Sequence, residues 1–558
     1  MSRTAVAVLT AVALVATACT NGGGATSGPV TGAAEATQGT WDINETDPSK
    51  VKDGGELKWP LDALVDNWNP HHVDGNAQGT FDIVNAITPN LFRVDKSGKV
   101  SLDKDYLDSA ELTSTDPQVV TLRLNPRARW SNGRQFSWED VDAQVKATSG
   151  ADPKFAVAAT TGSEDIGSVR RGANDQEVIV TFKNKFAEWQ LPFGRLLPKE
   201  LNATSAEFNS GWKEAPKITA GPFKIGTINR TAQVITIVRD DAWWGERAKL
   251  DRITFRVIAR TSWADSLANG AIDWCRIGSS VDLYQRTTRI QGVTIRQAPS
   301  LDYNHLTFNG APTSLLADPR MRVALMKGID TSTITKGVLG PIVADPQRLG
   351  NHFYMRGTPN YQDHSAAANF DPEAAKRALD ELGWRQDGQF RKKDGRQLDV
   401  RLLSAAGVPI SEQIGKLIQA QLAAIGVNVV IDNQSPQAFF EDFVTPGNFD
   451  MVSFSWNTPI FPISGSKGIY YLDPQAVKQN FGRVGSDEIN AKYNQANAEF
   501  DEGKRIALAQ DIDKLLWAEG HTLPIYQIPG TRAVRGTVAN FGSFGTASVD
   551  YARIGFTG

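Results

Sequence analysis

Chemistry in this chain would have to come from a few places: two cysteines, six histidines, one serine–lysine pair and many unremarkable carboxylates. Ser464-Gly465-Ser466-Lys467 has the S-x-x-K spacing in which a lysine amine can take a serine proton. No K-T-G follows it, however, and the segment lies in a Pro/Gly-rich run rather than at a helix start. No G-x-S-x-G elbow and no H-E-x-x-H motif occurs. Of His71, His72, His305, His352, His364 and His521, only the first two are adjacent, and neighbouring side chains usually point apart. A glycosidase needs a carboxylate pair, but nothing singles one out. The expectation is no catalytic residue, no metal site and no cofactor.

Cys19 is better placed for chemistry. Met1-Ser2-Arg3 forms a charged head, followed by the apolar run "TAVAVLTAVALVATA". About a dozen apolar residues suit a signal-peptide core and are too few to span a bilayer. Ala16-Thr17-Ala18 is a small-x-small cleavage pattern, and Cys19 follows at once, where lipoprotein processing attaches a diacylglycerol. Leu is more usual at the place of Ala16, and plain secretion is the alternative. Residues 20–40, rich in Gly, Ala, Ser and Thr, cannot build a core and read as a tether. The expected division is therefore a signal peptide over 1–18 and a lipid anchor with tether over 19–53. Acylation of Cys19 would leave Cys275 without a disulfide partner, and a long chain needs none.

The body must then position any binding site. Net charge is −3, from 59 Lys+Arg against 62 Asp+Glu, with no long run of one sign. That argues against nucleic acid and against an electrostatic membrane patch. The chain is too long for one core and should form two or three lobes. Strand and helix signals alternate. Ile410, Ile414, Leu417, Ile418, Leu422 and Ile425 recur at helical spacing before Gly426, and "VNVVI" at 427–431 reads as a buried strand. Asp371 and Pro372 open a second helix that Gly383 ends. Ile506, Ala509, Ile512, Leu515 and Leu516 mark a third, before Gly520. Strand-like runs lie at 233–239, 253–258, 305–309 and 449–456. The mixture predicts an α/β or α+β protein.

The stretch "TLRLNPRARWSNGRQFSWEDV", residues 121–141, resembles the signature region of family 5 extracellular solute-binding proteins, the oligopeptide, dipeptide and nickel receptors of ABC importers. The corresponding places are Arg123, Trp130, Asn132-Gly133 and Glu139-Asp140-Val141. "DNWNPHHVDGNAQGTF" is similar to the family's first strand and following helix, and "AGPFKIG", "DDAWWGERAKLDRITFRVI", "SLANGAIDW", "LTFNGAPTSLLADPRMRVALMKGID", "GNFDMVSFSW" and "LPIYQI" are similar to later pieces of it, in its order. The resemblance implies a two-lobed periplasmic-binding-protein (Venus-flytrap) α/β fold with an inserted accessory lobe, of the cluster C type. It implies a first ligand lobe from 54–78, 217–302 and 521–558, an accessory lobe over 79–216 and a second ligand lobe over 303–520. The function implied is capture of peptides or peptide-like compounds for an ABC permease and ATPase, by a monomer lipid-anchored at the outer face of the cytoplasmic membrane.

By the same resemblance, the ligand-binding residues would be Asp74, Asn76, Tyr303, Asn309, Ser455, Trp456, Asn457, Phe461 and Tyr526. One departure stands out. Peptide receptors of this family place an Asp shortly after the strand-ending Trp to pair with the peptide ammonium, whereas here "NTPIFPISGSKGIYY" follows Trp456 and no acid precedes Asp473. An unpaired ammonium in a closed cleft is costly. Either another acid such as Asp74 takes over, or the ligand lacks a free amine. Phe454, Phe461, Tyr470 and Tyr471 make the gap aromatic. A metal chelate, a tetrapyrrole or another metabolite is the alternative ligand, and an envelope regulatory lipoprotein the alternative role.

Overall fold

The computed structural model describes residues 41–435 and 438–558. The leader and Cys19 lie outside the described residues, as does the stretch of tether up to residue 40. From 41 onward the chain does not behave as a tether. Ile43 and Val51 are buried, Asp42 N–H donates to the Ser543 carbonyl at 2.7 Å, and the Asp42 carboxylate holds Arg296 at 3.0 Å. The 19–53 tether is thus corrected at its end: Trp41, Ile43 and Val51 carry enough apolar surface to dock, and the Gly/Ala/Thr run before them does not.

The first lobe begins with β1 (Glu56–Leu61) and α1 (Gln78–Ile87). The chain then leaves for the accessory lobe: β2 (Leu107–Thr115), β3 (Gln118–Leu124), α2 (Trp138–Thr148), β4 (Ile166–Arg171) and β5 (Glu177–Phe182). It returns through β6 (Phe223–Asn229), β7 (Val234–Arg239) and β8 (Arg252–Val257), which complete a four-stranded sheet with β1 parallel to β8. Next come β9 (Trp274–Arg276) and β10 (Val293–Arg296). β11 (Pro299–Phe308) carries the chain into the second lobe, built on α3 (Pro372–Glu381), β12 (Asp399–Ala405), α4 (Pro409–Ala423), β13 (Asn428–Gln434), β14 (Met451–Asn457) and α5 (Glu502–Ala518). β15 (Thr522–Pro529) brings it back to β16 (Arg532–Arg535).

Each lobe has its own core. In the first, Leu57, Trp59 and Leu61 lie under Ile83, Val84 and Ile87 of α1, and the Trp59 ring meets Trp274 edge-on at 4.7 Å. α1 therefore belongs to this core, not to the accessory lobe expected from residue 79. Leu197, Leu201 and Trp212 join it too. The accessory core runs from Leu91 to Leu196, with Ala220 added. The family-like stretch 121–141 forms its frame: a strand, a turn with Gly133 at φ +85°, and α2 with a Ser137/Asp140 capping box. Asp140 is buried, takes a bond from Trp130 Nε1 at 3.2 Å and pairs with Arg134 at 2.7 Å. Those residues hold the accessory lobe together and are spent on it.

The second lobe is a mixed sheet in the order β13-β12-β14-β11-β15. β12 and β13 are parallel, so a crossover must join them, and α4 does so with Ile414, Ile418 and Leu422 buried at four-residue spacing. The Asp371 cap, Pro372 at the first turn of α3, and Gly426 at φ +82° stand as the sequence predicts. β11 and β15 pair with each other across the junction between the lobes. Leu523, Ile525 and Tyr526 lie in the second-lobe core, so the return to the first lobe comes after β15, later than the expected residue 521. Among the described residues no helix is long and apolar enough to cross a membrane. Cys275 is buried and free, its thiol pushed up to about 12 by burial.

Candidate functional site: a cleft at the paired hinge strands

β11 and β14 run antiparallel, with Asp302 opposite Asn457, Tyr303 opposite Trp456, Asn304 opposite Ser455 and His305 opposite Phe454. Side chains alternate across a pleated sheet, so these pairs divide between two faces. Tyr303, His305, Phe454 and Trp456 share one face. Asp302, Asn304, Ser455 and Asn457 share the other. The consecutive Ser455-Trp456-Asn457 thus cannot act as one contact set.

The first face is aromatic. Trp456, half-buried, stacks on His305 at 5.9 Å and on Phe481 at 5.8 Å, with Phe454 edge-on at 5.0 Å. His305 is fully buried, and neither ring nitrogen has a hydrogen-bond partner among the described residues. Burial, reinforced by nearby His352, pulls it down to about 3, so it is neutral at physiological pH. The Tyr303 hydroxyl meets that of Tyr470 at 2.7 Å. Nearby, His352 Nδ1 contacts Asp513 Oδ1 at 2.6 Å, His352 Nε2 faces the Thr522 carbonyl at 3.0 Å, and His364 Nδ1 contacts Asp513 Oδ2 at 2.7 Å. Burial pushes the Asp513 carboxyl up, but the two histidine bonds outweigh it and hold the group below its usual range. These groups form a satisfied network, and no set of His, Cys, Asp or Glu among the described residues is arranged to hold a metal.

The second face is polar at its hinge end. Ser455 and Asn457 are exposed, and Asn457 Nδ2 donates to Asp302 at 2.7 Å. Here β14 also has a free edge: its ladder with β12 stops at Leu403/Val452, so residues 453–457 pair only with β11.

On the first lobe, a cavity of about 300 Å³ lies where β1 hands over to α1, lined by Asp74, Gln78, Asp82, Trp274 and Arg276. Asp74 sits exposed in a single turn, Val73–Gly75, with its N–H on His72 Nδ1 at 3.0 Å. Gly75 has to be glycine there, because a Cβ would run into the Asn69 carbonyl. Asn76 follows, also exposed. Burial raises the Asp82 carboxyl, against the pull of Arg276 and of Gln78, whose amide donates at 2.7 Å. At the lip away from the hinge, Glu188 of the accessory lobe accepts from Ser464 N–H at 2.9 Å and from the Ser464 hydroxyl. Ala187 N–H reaches the Asn497 carbonyl at 2.6 Å beside it. Phe461, half-buried, caps the short helix that carries Ser464. With Ser464 bound to Glu188 and Lys467 over the Tyr471 ring at 5.1 Å, the S-x-x-K match is structural.

Residues 104–477 match the model of the bacterial extracellular solute-binding proteins, family 5. The chain belongs to that family. The oligopeptide-binding protein OppA of Mycobacterium tuberculosis is 42% identical over 549 residues, 98% of this chain and 92% of that one. Among solved structures, the periplasmic EDTA-binding protein EppA superposes with a TM-score of 0.85 at 24% identity, covering 95% of this chain and all (100%) of its own. The oligopeptide-binding protein AppA of Bacillus subtilis, solved with a nonapeptide, gives 0.78 at 20% identity, covering 91% and 100%. These two share the two-lobed fold. As a family 5 protein the chain is a solute-binding receptor and not an enzyme.

Within this family 5 receptor the nine expected contact residues fall into separate groups. Ser455, Asn457 and the half-buried Trp456 stand at the hinge end of β14, on opposite faces. Asp74 and Asn76 lie at the first-lobe cavity, and Phe461 at the lip. Tyr303 and Tyr526 are 2% and 1% exposed, and burial pushes the Tyr526 hydroxyl up to about 12. Asn309 is a correction. It lies just past the far end of β11, roughly 20 Å along the strand from Tyr303. Its amide is fully used, donating to the Gly447 and Phe449 carbonyls at 2.9 Å and accepting from Ala311 N–H at 3.1 Å. It is a loop staple. Sequence reasoning missed His305, Asp82, Arg276 and Arg532. None of the four carries a local sequence signal of its place in the fold.

Proposed function

We propose that this protein captures peptides or peptide-like solutes and delivers them to the permease and ATPase of an ABC importer, working as a monomer held by lipid on Cys19 at the outer face of the cytoplasmic membrane. The free edge of β14 carries the reading. An extended peptide can add as a strand along residues 453–457, drawing affinity from main-chain hydrogen bonds that are indifferent to its side chains. Trp456 offers an aromatic surface on one face of that strand and Ser455 and Asn457 offer polar groups on the other. The 42% identity to an oligopeptide-binding protein across nearly the whole chain supports the same ligand class. A tether gives such a receptor a high local concentration near its pump.

Closure of the lobes would trap the ligand, with β11 and β15 bending and the Glu188–Ser464 contact fastening the lip. The test is mass spectrometry of small molecules released when the purified protein is denatured. Short peptides are the expected result. A single non-peptide species would replace this reading with that ligand, and repeated recovery of nothing from material purified without dialysis would count against a transport role.

A further inference from the structure

The two ligand lobes are joined covalently only where the chain crosses between them, and it crosses twice. One crossover runs from β10 into β11 over residues 297–298, and the other from β15 into β16 over residues 530–531. On the first-lobe side both are tied down. Gln297 Nε2 donates to the Thr531 hydroxyl at 2.8 Å, Gly530 N–H to the Ala298 carbonyl at 3.0 Å, and Ile277 N–H to the Thr531 carbonyl at 2.9 Å. On the second-lobe side the regular ladder between β11 and β15 resumes at Tyr303 and Gln527. The stretch between is weaker. Pro299 faces Pro529, neither of which has an N–H to give, and the register shifts before Tyr303.

The segment that leads into the first lobe is fastened to the same place. One oxygen of the Asp42 carboxylate holds Arg296 at 3.0 Å, and the other accepts the Gln297 N–H at 2.9 Å. At 25% and 19% exposure, Asp42 and Arg296 are largely shielded from solvent and from salt. The Asp42 backbone pairs both ways with Ser543, each bond being 2.7 Å. Two glycines make the room for this: a Cβ on Gly542 would run into the Asp42 carbonyl, and one on Gly530 into the Ala298 carbonyl. Further along, the Ile43 side chain is buried in the first-lobe core, Asn44 Nδ2 donates to the Val538 carbonyl at 2.8 Å, and Thr46 N–H donates to Asn540 Oδ1 at 2.8 Å. Residues 41–46 thus lie on the first lobe along a line that ends on a crossover.

We propose that residues 41–46 act as a strap that pins the first-lobe end of the hinge, so that closure bends the chain at residues 299–302 and 528 and no nearer the first lobe. The inference goes beyond the peptide reading and does not depend on what the ligand is. With the strap fastened, the lobes share one short pivot and one closing path. With it loose, the bend spreads into 296–298, and the closed arrangement is less well defined and costs more ordering to reach. The strap also lies between the body and the stretch that leads back to Cys19, so a receptor held by lipid there is held next to its pivot.

The test compares the full-length protein with Asp42→Ala, which removes the side-chain hold on Arg296 and Gln297 and keeps the backbone pair with Ser543. Hydrogen exchange at Gln297 should become about tenfold faster. In single-molecule energy transfer between dyes on the two lobes, the unliganded distance distribution should widen. The closed state formed with casein-derived peptides should last about three- to tenfold less long. Asp42→Asn, which keeps one acceptor oxygen, should fall between the two. Thermal melting confirms that the variants fold, and should Asp42→Ala not, Asp42→Asn is read in its place. Faster exchange with an unliganded distribution equal to the parent's would make Asp42 a local staple and overturn the strap, as would exchange at Gln297 equal to the parent's. If no peptide closes the parent protein, the peptide reading fails and the unliganded distribution decides the strap alone. A wider distribution in the variant upholds it, and an equal one overturns it.

Discussion

In the second lobe, half-buried Trp456 stacks against the rings of His305 and Phe481. Tyr303 is bonded to Tyr470, Asn457 to Asp302 and Asp513 to two histidines, while both His305 nitrogens have no partner among the described residues. In the first lobe, Arg276 and Arg532 stand side by side with no directly bonded anion, the Asp82 carboxyl acting on both through space, and the Trp274 N–H has no partner among the described residues. The second lobe offers surface and a strand edge, and the first lobe holds a cluster of arginines and aspartates. Surface and backbone bonding tolerate many ligands, whereas charges already matched by neighbours leave less to a ligand.

The contrast fails if the second-lobe network is itself a binding group, so the largest expected effect lies there. Asp513→Asn should cost about 3–5 kcal/mol in chemical denaturation, because it removes the buried charge shared by His352 and His364 and leaves only one acceptor oxygen for the two. The same carboxylate sets a pH dependence. Its folded value is lowered, so its contribution is complete above the ordinary value of 3.8 and is lost as pH falls through the folded value. Acid unfolding of Asp513→Asn should therefore be shallower than that of the parent protein. Trp456→Ala should weaken peptide binding about 30-fold by calorimetry, as for a central aromatic anchor, while lowering unfolding free energy far less. Equal losses would make Trp456 a core residue. Asn309→Ala should cost about 1–2 kcal/mol of stability and leave affinity unchanged, since its bonds are all internal. The smallest effect belongs to the lip. Ser464→Ala should speed ligand release a few-fold in stopped-flow and leave melting within about 1 kcal/mol, because it removes one hydrogen bond to Glu188 and keeps the backbone one.

The sequence revealed the architecture through periodicity and caps: α3, α4 and α5 begin and end near Asp371, Pro372, Gly426 and Gly520 as local chemistry dictates. Family-like pieces gave the order of the lobes. Boundaries were harder, because α1 and β15 take their allegiance from which core buries them, and Ile83 or Leu523 looks the same in either. The site was partly legible. The strand end at 455–457 could be read, but its division between two faces needed the pairing with β11. Arg276 and Arg532 meet only because β9 and β16 pair across a long stretch of sequence, and nothing local to either residue announces it. The same holds for His352, His364 and Asp513.

The central claim is that two lobes close on a peptide, and it is most directly tested by single-molecule energy transfer between dyes on the first and second lobes, placed away from the cleft. Adding free-acid casein peptides should shift the population towards a short distance, and washing them out should restore the longer one. A distance distribution unchanged by any peptide in the pool would contradict the account.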